Sequence, residues 1–184
     1  MGLAMVNYAD TNGALPPAAV RGKDGRPLLS WRVALLPFIE QEPLYKEFHL
    51  DEPWDSPHNI TLLERMPKVY SPFSGKRTPQ PYTTYYQVFV GKGTAFESPE
   101  GVPWRDLSNG GSSTILITEA GEAVPWTKPE DLIFDPERPL PPLGGVFETS
   151  VRVAFADGSV QQYSKEELTQ NEFRSRITRN GDLK

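Results

Sequence analysis

The segment SWRVALLPFIEQ, residues 30–41, puts Trp31, Leu35, Phe38 and Ile39 at spacings of three and four. That is the period of a helix with one side against a core. Ser30 supplies a capping hydroxyl ahead of it, and Pro37 is expected to kink it or end its regular part. PLYKEFH restarts the pattern with Pro43 at a helical first position and Leu44, Tyr45 and Phe48 facing inward. SPHNITLLERM repeats the signal, with Ser56 as cap, Pro57 in the first helical position, and Ile60 and Leu63 three apart. Upstream, MGLAMVNYAD reads as the end of a helix with Leu3, Val6 and Met5 as its stripe. Asn12-Gly13 and Pro16-Pro17 then break it.

After Pro67 the pattern changes. YTTYYQVFVG, residues 82–91, is rich in aromatic and β-branched positions and predicts a strand. A second strand is expected from about Ser113 to Glu119, after the turn SNGG. VRVAFADGSVQQYS carries Asp157-Gly158 between two β-type runs. A two-residue type I′ loop there would set Phe155 opposite Val160. Ser164 and Glu167 form a capping box for a closing helix. In that helix Phe173 and Ile177 lie four apart, and Asn180-Gly181 stops it. Helices first, strands next and a helix last predict an α+β fold with an antiparallel sheet, in a single domain spanning 1–184. The Pro-rich stretches 67–81 and 125–143 are read as loops within it.

Composition sharpens this in two respects. The chain has 19 prolines in 184 residues, about twice the usual share, so elements should be short and connections stiff. Its net charge of −5 shows no like-charged block, which argues against nucleic acid as a partner. With no cysteine, thiolate metal sites, disulfides and cysteine nucleophiles are excluded. No run approaches the roughly 20 apolar residues of a membrane span, and no signal-peptide core is visible.

The densest cluster of candidate chemistry is LDEPWDSPHN, residues 50–59. Asp51, Asp55 and His58, with His49 and Glu52 beside them, are the candidate ligands for a divalent cation. Their spacing matches neither H-E-x-x-H nor a calcium loop. The favoured reading is structural. Pro53 and Pro57 stiffen a corner, Trp54 anchors it, and Asp55 accepts from amides at the next helix start. Pro125-Trp126 and Pro103-Trp104 repeat the device. SNGGSS precedes a strand, not a helix, so it is read as a turn rather than a phosphate loop. Glu119 and Glu122 are read as solvated carboxylates at a strand end.

Several longer stretches carry a family resemblance: GLAMVNYADTNGALPPA, LLSWRVALLPFIEQEPLYKEFHLDEPWDSPHN, VFVGKGTAFE, STILITEA, AVPWTKPEDL and VAFADGSV. Together they resemble the large planctomycete family numbered 1559 among domains of unknown function. Its members look like prepilins and carry a C-terminal signature H-x9-D-G. Asp157 and Gly158 match the D-G; Phe147 stands where the pattern has histidine. The apolar helix typical of pilin-like members is missing upstream, and GLAMVNYAD resembles its C-terminal end. The resemblance implies a pilin-like head with Pro-rich loops, located at the cell envelope or outside the cell. It implies no enzyme activity and no cofactor, and it implies partners among pilin-like subunits or envelope proteins. The alternative expectation is an extracellular binding module. That module would bind calcium, through residues 51–55 or near Asp131 and Asp135, or a glycan, through exposed tryptophans. A hydrolase using His58 with Asp51 or Asp55 is the third.

Overall fold

The computed structural model describes residues 1–72 and 78–183. Part of the loop expected at 67–81 therefore lies outside the described residues.

Helix α1 spans Gly2–Asn12 and ends at Gly13, whose N–H donates to the Ala9 carbonyl at 2.8 Å. Its buried face is Ala4, Met5 and Ala9, with Met1 and Tyr8 packed beside them. The stripe expected through Leu3 and Val6 is corrected, since Leu3 is 67% exposed. The two alanines let the helix lie close to the sheet, and Met5 fills the gap between them. A hairpin that hydrophobic patterning did not reveal follows, with β1 (Ala19–Arg21) antiparallel to β2 (Pro27–Ser30). Its signal was Asp24-Gly25, a favoured turn pair.

The long helix expected from Ser30 is divided. Helix α2 covers only Trp31–Ala34, and a 3-10 turn, Leu36–Ile39, succeeds it. Pro37 has no N–H to continue the α ladder, and Glu40 closes the turn at φ 62°. Ser30 caps as expected, its hydroxyl accepting from the Arg32 N–H at 3.2 Å. Helix α3 is Glu42–Tyr45. The helix expected from Ser56 is instead a 3-10 turn, Asn59–Arg65. Three residues per turn put Asn59 and Leu62 on one face. Both are buried, whereas Ile60 is 38% exposed.

The strand expected at 82–91 splits at Val88 into β3 (Thr83–Gln87) and β4 (Phe89–Val90). Strand β5 runs Ile115–Pro125, longer than expected, and β6 is Leu132–Ile133. Strands β7 (Ser150–Phe155) and β8 (Val160–Ser164) complete an antiparallel sheet of order β3-β5-β7-β8. The short β4–β6 pair is parallel, a departure from a wholly antiparallel arrangement. The β7–β8 turn is also corrected. Ala154, not Phe155, pairs with Val160. Phe155 exchanges bonds with the turn, donating to Ser159 O and accepting from Gly158 N–H. Gly158 has φ 85°, but Asp157 keeps a negative φ, so the loop is the three-residue bulged kind and not type I′. The Asp157 carboxylate holds it there, accepting from the Ser159 N–H at 2.9 Å and hydroxyl at 2.6 Å.

The capping box forms, Ser164 N–H to Glu167 at 2.7 Å and Glu167 N–H to Ser164 Oγ at 3.3 Å. It opens a 3-10 turn, Glu167–Thr169, before the short α4 (Asn171–Ser175) rather than one long helix. Phe173 and Ile177 are buried with Val151, Val153 and Phe155 on one side of the sheet. Helix α1 covers part of the other, over Leu116, Ile117 and Val88. A third cluster, Leu29, Val33, Leu36, Leu44, Phe48, Tyr70 and Trp126, lies under the helical region. Fully burying one such Phe or Leu contributes about 1.5–3 kcal/mol.

Candidate functional site

The stretch 50–59 is organised by a residue that its sequence did not advertise. Asn59 is fully buried. Its amide nitrogen donates to the carbonyls of His49, Glu52 and Pro53 at 2.9, 3.1 and 3.1 Å, and its oxygen accepts from the His49 N–H at 3.0 Å. Four backbone groups of a turn that lacks regular structure are thereby paired by one side chain. The Trp54 backbone N–H donates to Leu28 O at 2.8 Å, tying the corner to β2. The Trp54 ring is half-buried, with the Lys128 ammonium 5.9 Å from its centroid. Pro53 and Pro57 flank this corner on its exposed side.

The five candidate ligands do not converge. Asp51 and Asp55 are exposed. The acceptor for the following turn is Ser56 Oγ, which takes the Asn59 N–H at 3.1 Å, a role expected of Asp55. His49 and His58 stack face to face, centroids 3.6 Å apart and planes within 2°. Nitrogens on parallel stacked rings point past each other rather than at a common point. His58 Nε2 donates to Glu47 O at 2.7 Å, and His49 Nδ1 meets Glu52 at 3.0 Å. Hydrogen bonds from Ser56 and His49 hold the Glu52 carboxyl below its usual range. Among the described residues, no group of three or more His, Cys, Asp or Glu side chains is placed to hold a metal ion.

The second node is deeper. Trp126 is fully buried, its indole N–H donating to Leu63 O at 2.9 Å, with Phe48 and Tyr70 rings 5.8 Å away. Trp31 is equally buried and donates to Asp131 Oδ1 at 3.1 Å. The same oxygen accepts from the Val88 N–H at 2.9 Å and from Arg32 at 3.2 Å. Arg32 spends its remaining donors on Tyr86 O, at 2.9 and 2.7 Å, and on Ser30 Oγ at 2.6 Å. Burial pushes the Asp131 carboxyl up to about 6 against the attraction of Arg32. Asp131 is therefore consumed in a structural network, and Asp135 accepts from the Glu137 N–H within its own turn.

Glu119 corrects another expectation. It is 1% exposed, not solvated, whereas Glu122 is exposed. One Glu119 oxygen accepts from the Arg152 N–H at 3.0 Å; the other is buried without a hydrogen-bond partner among the described residues. Burial raises its pKa.

The D-G tip meets two other elements. Asp157 N–H donates to Gly111 O at 3.1 Å, so the SNGGSS turn docks beneath the hairpin. On its other side Gly2 of α1 approaches Gly158 and Ala154 so closely that a Cβ there would touch both, at 3.7 and 3.8 Å. The Arg152 guanidinium carbon lies over Phe147, the residue at the signature's histidine position, 4.5 Å from the centroid of its ring.

This is an α+β protein in which the buried Asn59, Arg32 and Asp131 each bond to backbone groups. Residues 1–73 match the family described as protein of unknown function, DUF1559, the family that the motifs resemble. No curated protein and no solved structure matches the chain. Among the described residues, no helix is long and apolar enough to cross a membrane.

Proposed function

We propose that this chain is a non-enzymatic, pilin- or pseudopilin-like structural or assembly module of the cell envelope. The observation that carries the reading is the seating of α1. A helix with an Ala4–Met5–Ala9 face lies on one side of an antiparallel sheet, its first turn against the β7–β8 tip. The carboxylates of the interior support it. Asp131 and Glu119, each raised by burial, are bonded to backbone N–H groups of the sheet region. The partners are then other pilin-like subunits or envelope proteins.

Fractionation of the native host cells tests this. Antibody against the chain should find it in the envelope or the medium. Recovery from the cytoplasm alone, or turnover of common ester, glycoside or phosphate substrates, would overturn it.

A further inference from the structure

The two edges of the four-stranded sheet differ. The β3 edge is closed. Tyr86 O accepts from Arg32 at 2.9 and 2.7 Å, the Val88 N–H donates to Asp131 at 2.9 Å, and the Leu132 N–H reaches Val88 O at 3.0 Å. The β8 edge has no further strand beside it. Val160, Gln161 and Gln162 are exposed, Val160 to 64%. Natural edge strands are blunted by lysine, proline or a bulge, because their open main-chain groups invite another strand. Residues 160–164 read VQQYS, with neither charge nor proline, and they pair with β7 without a register shift.

The hydrogen bonds fix which groups are open. The Phe155 N–H donates to Ser159 O, and the Lys165 N–H to Thr149 O. Main-chain groups alternate in direction along an antiparallel strand, so Gln161 and Tyr163 turn theirs toward β7. Val160, Gln162 and Ser164 turn theirs outward. The Ser164 N–H is already taken by Glu167 at 2.7 Å. At the other end the Gly158 N–H is taken by Phe155 O at 3.0 Å. Between these two occupied donors, the N–H and C=O groups of Val160 and Gln162 have no hydrogen-bond partner among the described residues.

We propose that β8 pairs antiparallel with β8 of a second copy of this chain, about a twofold axis at Gln161. In that register Val160 exchanges both main-chain bonds with the partner's Gln162, and Gln162 does so with the partner's Val160. The open strip is filled by its own image. Sliding one strand by two residues either way brings an occupied donor, the Ser164 or the Gly158 N–H, into the ladder. The carbonyl facing it, of Val160 or Gln162, is then left unpaired. Neither strand carries a charge to repel its copy. Beyond the strands the same register carries Lys165 toward the partner's Asp157, opposite in sign, and both positions are exposed. Such a contact uses one patch on both copies and closes as a dimer, joining the two sheets into one. With only a short strand from each copy it is weak, and it forms where copies are concentrated. It does not depend on the envelope reading.

In sedimentation velocity, the weight-average mass of the whole protein should rise with concentration toward the dimer and stop there. Amide NMR signals of Val160 and Gln162 should move with concentration, and their exchange with solvent should slow. Gln161→Lys sets two ammonium groups across the axis, and Gln161→Glu two carboxylates. The Gln161 side chain is exposed, so both variants should melt near wild type, yet dimerise about tenfold more weakly or worse. Mixed in equal amounts they should associate again, because the introduced charges are then opposite. Lys165→Glu, which brings like charge toward the partner's Asp157, should weaken the dimer without touching the strand. The proposal falls if the protein stays monomeric at millimolar concentration, or if the mass rises while the Val160 and Gln162 amides stay still. It falls equally if the mixture associates no better than either Gln161 variant alone, or if Lys165→Glu dimerises as well as wild type.

Discussion

Arg32 and Asp131, 99 positions apart in the chain, meet at 3.2 Å with 0% and 3% of their side chains exposed. The pair joins α2 to the segment before β6 and, through Tyr86 O and the Val88 N–H, pins the backbone where β3 gives way to β4. Arg32→Met would leave a buried carboxylate without its cation. The expected loss is about 3–5 kcal/mol at neutral pH. Its pH dependence follows from Asp131, already raised to about 6 by burial and raised further once Arg32 is gone. A carboxyl whose folded pKa is raised gives stability that is present below its unfolded pKa and lost as pH rises through the folded one. The variant's deficit against wild type should therefore grow between about pH 5 and about pH 8. Urea midpoints at both pH values check this, and an equal deficit at the two would refute it.

Asn59 offers a test of what the 50–59 stretch does. Asn59→Ala removes the side-chain partner of three carbonyls and one N–H in a part-buried corner. About 3 kcal/mol should be lost, since each unsatisfied buried group costs about 1–3 kcal/mol and some will find water. Asp51→Asn and Asp55→Asn, on exposed side chains, should stay within about 0.5 kcal/mol of wild type. Millimolar calcium should leave the melting temperature where it is. A calcium-dependent rise abolished by Asp55→Asn would restore the metal reading.

What could be read from the chain was what is local. The Ser30 cap, the Ser164–Glu167 box and the Phe173–Ile177 pair each involve residues within four positions, and all are present. Helix lengths were overestimated because periodicity registers which side chains face inward. It does not register that Pro37 and Glu40 have withdrawn the backbone from the α ladder. The turn after β7 was misplaced by one residue, because Asp-Gly suits both type I′ and the bulged loop. The choice was made by the Asp157 carboxylate accepting from Ser159 at negative φ. The Arg32–Asp131 network was illegible, its partners being distant in sequence and supplied partly by backbone carbonyls. Asn59 had one available signal, an amide side chain two residues after Ser56-Pro57 in a segment too rigid to satisfy its own carbonyls.

Glu119 makes a prediction of opposite character. It holds one carboxylate oxygen buried and unpartnered among the described residues, while the other accepts from the Arg152 N–H. Burial raises its folded pKa, so its ionisation works against the fold. The contribution is favourable below the unfolded pKa and is lost as pH rises through the folded value. Glu119→Gln keeps an acceptor for Arg152 and removes the charge. The variant should gain on wild type as pH rises from about 4 to about 7. Urea midpoints that shift equally with pH in both proteins would show that Glu119 does not titrate with folding.

Two glycines separate backbone strain from close approach. Gly158 has φ 85° and open space within 4 Å of where a Cβ would stand, whereas Gly101 has φ 92° and would place a Cβ 2.1 Å from Leu15 O. Gly158→Ala should cost only the left-handed strain, about 1–2 kcal/mol. Gly101→Ala must in addition push Leu15 away, and the Leu15 N–H is itself bonded to Val102 O at 2.9 Å. Relieving the clash therefore breaks the strand-like contact that seats the chain after α1, and the loss should reach roughly 3 kcal/mol or more. Thermal melts of the two variants give the comparison. Similar losses would mean that the segment after α1 yields easily, and that Gly101 is there for its conformation alone.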